Sequence, residues 1–471
     1  MKTLGKKNLI KNFAFSFLAQ AISLLVSFVV NLVVPKFISE YQYAYWQMYV
    51  LYVGYVGVLH FGLLDGMLLR YSQYDYEELD KKLVRSQFAF LMTVTTVIAA
   101  VGIITAMLAL GESYRLILIF VAVGVLSKNI VTYTSYLFQI TNRIKKYAIV
   151  AISQRAFFGV ATVVLLAAGV KDFYWFCIAD LVGDLFAIAL GFAFNRDLYL
   201  GSLISFRDTI REAGSNIGAG MLLLIANWSS MLLVGGAKMM VQWRWDELVF
   251  GQVSFSFSIT NLFLSFVSAV SVVLFPSLKR MEPEKLPGLY KNLREAISLV
   301  LFFAMIFYFP GCWILKKWLP AYEASLQYLC ILLPLIIFSS KVGLLTDNYL
   351  KAYRKEKQML IVNLICVALA FGLFAFSAYV LNNMTVLLVS VVFVIMLRSV
   401  ISEIIVMKTI KIKIVADFII EIVMTVAFIG FAKMLPLWIG CGAYTAALLV
   451  YFAIKHKTIK NFFTGLRRKR Q

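Results

Sequence analysis

The chain is short of charge. Of its 471 residues only 15% are Asp, Glu, Lys or Arg, where a soluble globular chain carries about a quarter. Fully 62% are apolar, and the mean hydropathy is +0.85. A water-soluble domain must cover itself with charge, so apolar runs of about 20 residues at this density are solvated by lipid. Proline is scarce at 8 residues, and no Gly/Ser-rich or Pro-rich linker occurs, which leaves no room for a separate extramembrane domain. The 2 histidines, His60 and His456, stand far apart. The 5 cysteines, Cys177, Cys312, Cys330, Cys366 and Cys441, are odd in number and lie inside apolar runs. That excludes a disulfide framework, a CxxC motif and the usual metal-ligand spacings, and leaves cysteine as a packing residue. There is also no P-loop and no dinucleotide fingerprint. A membrane polymerase or glycosyltransferase would want acids or histidines on a sizeable loop, which the sequence lacks.

What is present is a series of fourteen apolar segments. They run approximately over 13–34, 43–69, 86–110, 116–140, 147–169, 173–194, 215–235, 247–275, 296–315, 324–350, 358–381, 384–407, 414–434 and 436–454. An open sheet edge cannot face hydrocarbon, and the runs are too long for barrel strands, so an all-α polytopic fold is expected. Lys and Arg alternate between the connections. One set holds 33, including both ends of the chain, and the intervening set holds 8. By the positive-inside rule both termini are cytoplasmic. The formal charge of +21 therefore describes topology rather than nucleic-acid binding. The basic tail Arg467–Arg470 and the loop Lys279–Arg294 would attract anionic lipid headgroups. Met1–Asn12 is basic and leads into an apolar stretch longer than a signal-peptide core, which reads as an uncleaved first span. The cluster Tyr41, Tyr43, Tyr45 and Trp46 fits the outer interface.

The chain also carries a weak internal repeat. Ser127-Lys128 and Tyr136-Leu137 recur as Ser340-Lys341 and Tyr349-Leu350, each pair closing its span before a basic loop. Gln47 and Gln252 hold similar places in the second and eighth spans. Six spans separate the fourth from the tenth, so the related spans point the same way and the duplication is parallel, with a pseudo-two-fold along the membrane normal. The expected layout is a six-helix lobe over residues 1–200, a second over 201–410, two accessory helices over 411–455 and a basic tail over 456–471. With Gln20 and Pro35 in the first span, GLLDGMLLRY (62–71), SYLFQITNRIKK (135–146) and LFPSLKR (274–280), the chain resembles the multidrug/oligosaccharidyl-lipid/polysaccharide exporter superfamily. Within it the chain is most similar to the Wzx-type polysaccharide repeat-unit flippases.

This resemblance implies a V-shaped pair of bundles working by alternating access in a bacterial cytoplasmic membrane. The cargo would be an undecaprenyl-diphosphate-linked oligosaccharide, moved from the inner to the outer leaflet for surface polysaccharide synthesis. Membrane lipids and a polysaccharide polymerase complex would be its partners, and no cofactor is needed beyond coupling to H+ or Na+. A lipid II flippase and an ion-coupled multidrug exporter share the superfamily. The first span lacks the arginine-containing signature of the former and the acidic site usual in the latter.

Four basic residues remain inside spans: Lys128, Arg155, Lys341 and Arg398. A charge there costs about 2.5–3.5 kcal/mol on the insertion scale, so each is expected to meet a partner or a watery cavity. The repeat sets Lys128 against Lys341, which suggests that the two lysines, with Arg155 or Arg398, bind the substrate diphosphate. Arg70 joins them at the end of span two. Snorkelling is the alternative for Arg155 and Lys341. For Lys128 and Arg398 the alternative is a structural ion pair, the latter with Glu403 or with an acid on a neighbouring helix. Asp65, Asp180, Asp184 and Glu403 are the candidates for ion coupling. Asp180 and Asp184 share a helical face, where they could instead pair with Arg155. Asp417 and Glu421, in the accessory spans, are expected to serve assembly or lipid contact.

Overall fold

The computed structural model describes residues 20–108, 111–279, 286–412 and 415–456, with side chains other than those of 266–279 and 415. No strand occurs among them. The helices are α1 (Gln20–Phe37), α2 in two pieces (Glu40–His60 and Leu63–Tyr71), α3 (Lys81–Met107), α4 (Glu112–Ile140), α5 (Ile144–Ala167), α6 (Phe173–Tyr199), α7 (Phe206–Arg244) and α8 (Glu247–Lys279). They continue with α9 (Leu286–Trp318), α10 in two pieces (Ser325–Leu332 and Leu335–Ala352), α11 (Glu356–Val380), α12 (Met384–Ile410), α13 (Val415–Met434) and α14 (Leu437–Ile454). Among the described residues eleven helices are long and apolar enough to cross a membrane, or thirteen if each bent pair is one span, against the fourteen expected. The basic N-terminus, Arg280 of the LFPSLKR segment and the tail from residue 457 lie outside the described residues.

Both bent pairs have a chemical cause. In α2 the pieces meet at 54°, where Phe61 and Gly62 take left-handed φ values of 50° and 81°. Gly62 has a second reason to be glycine: a Cβ there would stand 2.8 Å from the Met221 nitrogen. In α10 the bend is 41° and falls at Pro334, which has no N–H to continue the ladder. A π-helical turn, Lys341–Thr346, follows it.

The chain forms two compact units, Met1–Trp228 and Ser229–Gln471, with the division inside α7. In the first unit α2 and α7 cross at very close range. A Cβ on Gly66 would lie 1.8 Å from the Asn216 carbonyl oxygen, and one on Gly220 would lie 2.0 Å from that of Gly62. Aromatic rings fill the end of this unit near the first basic loops: Phe88, Tyr133, Phe192 and Tyr199 stack on one another. Beside them Tyr76 donates to Asp197 at 2.5 Å, and Lys81 pairs with the same carboxylate at 2.6 Å. Burial and Asp197 together raise the Tyr76 phenol above its ordinary pKa, which keeps the donated proton on the hydroxyl. Trp46 and Tyr43 belong to the cluster expected at the outer interface. Both are buried, because Trp46 turns inward to pack on Tyr49, Phe158 and Phe176; Tyr41 stays exposed.

The second unit contains α13 and α14. Tyr444 of α14 donates to the Phe302 carbonyl of α9, and rings from α9, α13 and α14 form one buried aromatic group around Phe309, Phe428 and Tyr444.

Local structure repeats between the units. Helices α4 and α10 end in the same pattern, with left-handed Asn142 and Arg354 and six-residue closures from Arg143 N to Phe138 O and from Lys355 N to Leu350 O, both 2.8 Å. A tyrosine of each of these helices reaches a carbonyl at the start of the preceding helix: Tyr133 reaches Val84 and Tyr349 reaches Leu286.

Candidate functional site

Near the middle of α4, Lys128 lies between two carboxylates of α6, with its Nζ 2.7 Å from Asp180 and 3.0 Å from Asp184. The i, i+4 spacing sets both acids on one helical face. The surrounding donors complete the group. Tyr49 donates to Asp180 at 2.8 Å, while Ser127 and Gln154 donate to Asp184 at 2.6 and 2.5 Å. Asp184 is fully buried. Arg155 does not join, because Gln154 already points at Asp184 and the next residue on a helix faces elsewhere.

In the second unit Lys341 is also held between two acids. Its Nζ lies 2.5 Å from Glu403 of α12 and 2.6 Å from Glu421 of α13. Arg294 of α9 binds the same two carboxylates at 2.5 and 2.9 Å and stands 3.4 Å from Asp417. Ser298 donates to Glu421 and Ser399 to Glu403. Lys455 closes the far end with a short contact to Asp417. Lys341 is 0% exposed and Arg294 1%, so neither snorkels. Five elements, α9, α10, α12, α13 and the residue after α14, thus converge on one buried charge network. Glu421 and Asp417 are internal links of that network rather than contacts for lipid.

The remaining candidates are placed as follows. Arg398 does not pair with Glu403, since residues five apart on a helix point away from each other. It donates to Ser230 at 2.9 Å and stands 3.7 Å from Asp347, and its Nε and Asp347 Oδ1 have no hydrogen bond among the described residues. Arg70 is tied to Asn216 at 2.6 Å and Glu212 at 2.7 Å. Asp65 sits in the first turn after the break in α2 and accepts from Tyr136. Its second oxygen is buried without a hydrogen bond, 3.8 Å from His60 Nε2.

Arg155 stands apart. It is exposed, halfway along α5, and makes no hydrogen bond or ion pair among the described residues. It shares a helical face with buried Ala148, Phe158, Gly159 and Thr162, which are three, four or seven residues away, while exposed Val160 and Val164 mark the opposite side. The guanidinium is therefore presented on the inward side of the helix, not on its most apolar flank.

Sequence reasoning missed Arg294, because it was counted in a basic loop; α9 starts ten residues earlier than the apolar run. The usable signal was Leu286, Tyr290, Arg294 and Ser298 at four-residue spacing, all buried on one face. Lys238, counted in an outer loop, is also buried inside the 39-residue α7. Among the described residues no group of His, Cys, Asp and Glu could hold a metal ion. The described cysteines are free, and all but Cys441 are buried.

No family model matches the chain, and no curated protein matches it. Solved structures do. A lipid II flippase, MurJ, in an inward closed conformation has a TM-score of 0.67 at 11% identity, covering 95% of this chain and 99% of that one. An inward-facing multidrug resistance transporter of the MATE family, in the MOP superfamily, has a TM-score of 0.63 at 12% identity, covering 83% and 98%. The fold is that of these transporters.

Proposed function

We propose that the chain is a flippase for lipid-linked oligosaccharides whose linker is a diphosphate, moving them from the cytoplasmic to the outer leaflet by alternating access for surface polysaccharide synthesis. Arg155 carries this reading. A guanidinium halfway along a spanning helix, with no partner among the described residues, is costly in lipid and is retained where a watery passage brings it a ligand. The planar fork grips phosphate oxygens in pairs. Arg398, buried but incompletely satisfied among the described residues, is the matching candidate within the second unit. Lys128 and Lys341, each held between two carboxylates, hold the helices in place, which assigns the anion to an arginine. The Lys128 group has two carboxylates to one ammonium, which suits Asp180 and Asp184 to binding a coupling H+ or Na+. The fold shared with a lipid II flippase supports a large lipid-borne cargo.

A multidrug exporter is the second reading, favoured by that same excess of carboxylate and by the shared MATE fold. Proteoliposomes loaded with a fluorescent undecaprenyl-diphosphate disaccharide separate the two. Flipping should fall at least tenfold in Arg155→Gln and be partly kept in Arg155→Lys, with ethidium not transported. Wild-type flipping by a folded Arg155→Gln protein, or ethidium transport without flipping, would overturn the proposal.

A further inference from the structure

Within the first unit, where α2 ends and α3 begins, the structure holds a half-open pocket of about 490 Å³, inside the range of small-molecule sites, roughly 300–1,000 Å³. Its aliphatic lining is Leu69, Leu79, Leu83 and Val84, of which Leu79 and Val84 are buried. Its rim is polar: Arg70, Gln73, Tyr74, Glu78, Asp80 and Glu212.

The charges decide what fits. The one cation, Arg70, is already engaged by Glu212 and Asn216, and three carboxylates surround it. Tyr71 donates to the same Glu212 oxygen at 2.6 Å, which holds that corner rigid. Each carboxylate keeps an acceptor turned to no partner. Glu78 spends only Oε2, on the Asp75 N–H. Asp80 spends only Oδ1, capping α3. Glu212 spends only Oε1. The other oxygen of each has no hydrogen bond among the described residues. Tyr74, 43% exposed, offers a ring with a hydroxyl at its edge.

An anion would meet surplus negative charge here, so a phosphate group does not belong in this pocket. An apolar molecule would strand the carboxylates. Sugars satisfy both demands, since hydroxyl and amino protons go to ionised acceptors while the flat C–H face of a pyranose covers an aromatic ring and an aliphatic lining.

We propose that this pocket binds the glycan of the cargo, and that it takes neutral or amino sugars and refuses acidic ones. The inference rests on the flippase reading, and it divides the cargo's recognition within the first unit: diphosphate at Arg155 inside the helices, sugar at the pocket on the side carrying the basic loop 70–85. That side is the one expected to face the cytoplasm, where loading begins.

The test uses the purified full-length protein in nanodiscs and saturation-transfer NMR with six free methyl glycosides, those of glucose, galactose, mannose, N-acetylglucosamine, glucosamine and glucuronic acid, together with methyl phosphate. At least one neutral or amino glycoside should give a signal that drops fivefold or more in Tyr74→Ala and in Glu78→Gln. Both positions are exposed, and folding is checked by a single size-exclusion peak. Glucuronate and methyl phosphate should give no signal that these variants change. Silence from all five neutral and amino glycosides, or signals untouched by both variants, overturns the pocket. Sugar binding that survives in a protein unable to flip lipid-linked disaccharide leaves the pocket standing and removes the flippase reading. Binding is also expected to be unchanged in Arg155→Gln, and its loss there would overturn the division of roles.

Discussion

At the scale of residues, the protein encloses some cations and presents Arg155, which has no partner among the described residues. Lys341 has no exposure and touches Glu403, Glu421 and, through them, Arg294. Removing its ammonium leaves two buried carboxylates to share one guanidinium, and breaking a buried pair this way costs about 3–5 kcal/mol. Lys341→Gln should therefore lower the unfolding midpoint and the yield of folded protein, measured by thermal unfolding in detergent. Adding Glu421→Gln should recover part of the loss, because charge balance is restored. A Lys341→Gln protein that is fully stable yet inactive in flipping would instead make Lys341 a substrate ligand. Arg155→Gln is expected to behave in the opposite way, with stability kept and transport lost.

At the scale of elements, α13 and α14 are part of the second unit's interior. Glu421 and Asp417 of α13 answer charges on α9 and α10, and Lys455, just after α14, is joined to Asp417. Ending the chain after Ile412 would bury Arg294 and Lys341 against Glu403 alone. Such a truncation should abolish accumulation of folded protein in the membrane, whereas ending it after His456 should not; quantitative blotting of membrane fractions checks both. If the shorter chain accumulates and resists protease as the full chain does, α13 and α14 are accessory after all. The helix breaks belong to this scale too. The one in α10 could be read from Pro334. The one in α2 could not, because the need for Gly62 arises from the backbone of α7 that lies against it.

For the molecule as a whole, the split of loop charge, 33 Lys and Arg against 8, predicts that both ends face the cytoplasm. A cytoplasm-active reporter fused after Gln471 should work and a secreted-side reporter should be silent; the reverse result refutes the topology. The bend in α2, the long α7 and the bend in α10 leave that charge alternation unaffected, since it depends on which ends of the helices carry Lys and Arg and not on how straight the helices run. The two helix ends at Asn142 and Arg354 share a local pattern, and Tyr133 and Tyr349 make like bonds behind them, although the sequence match sets Tyr349 against Tyr136 and not Tyr133.

By itself the sequence determined that this is an all-helical membrane protein, about where its helices lie, and that Lys128, Arg155, Lys341 and Arg398 sit inside them. Those properties follow from composition and period, which each segment expresses without its neighbours. It also set Asp180 and Asp184 on one face, because helical geometry is local. Only the tertiary structure decided which charges meet. Lys128 could have turned to lipid, to substrate or to α6. Arg294 read as a loop residue until its partners on α12 and α13 came within reach. Pairing is chosen by the packing of helices far apart in sequence, and in a low-dielectric interior that choice determines whether a cation is neutralised in place or left free to bind a ligand.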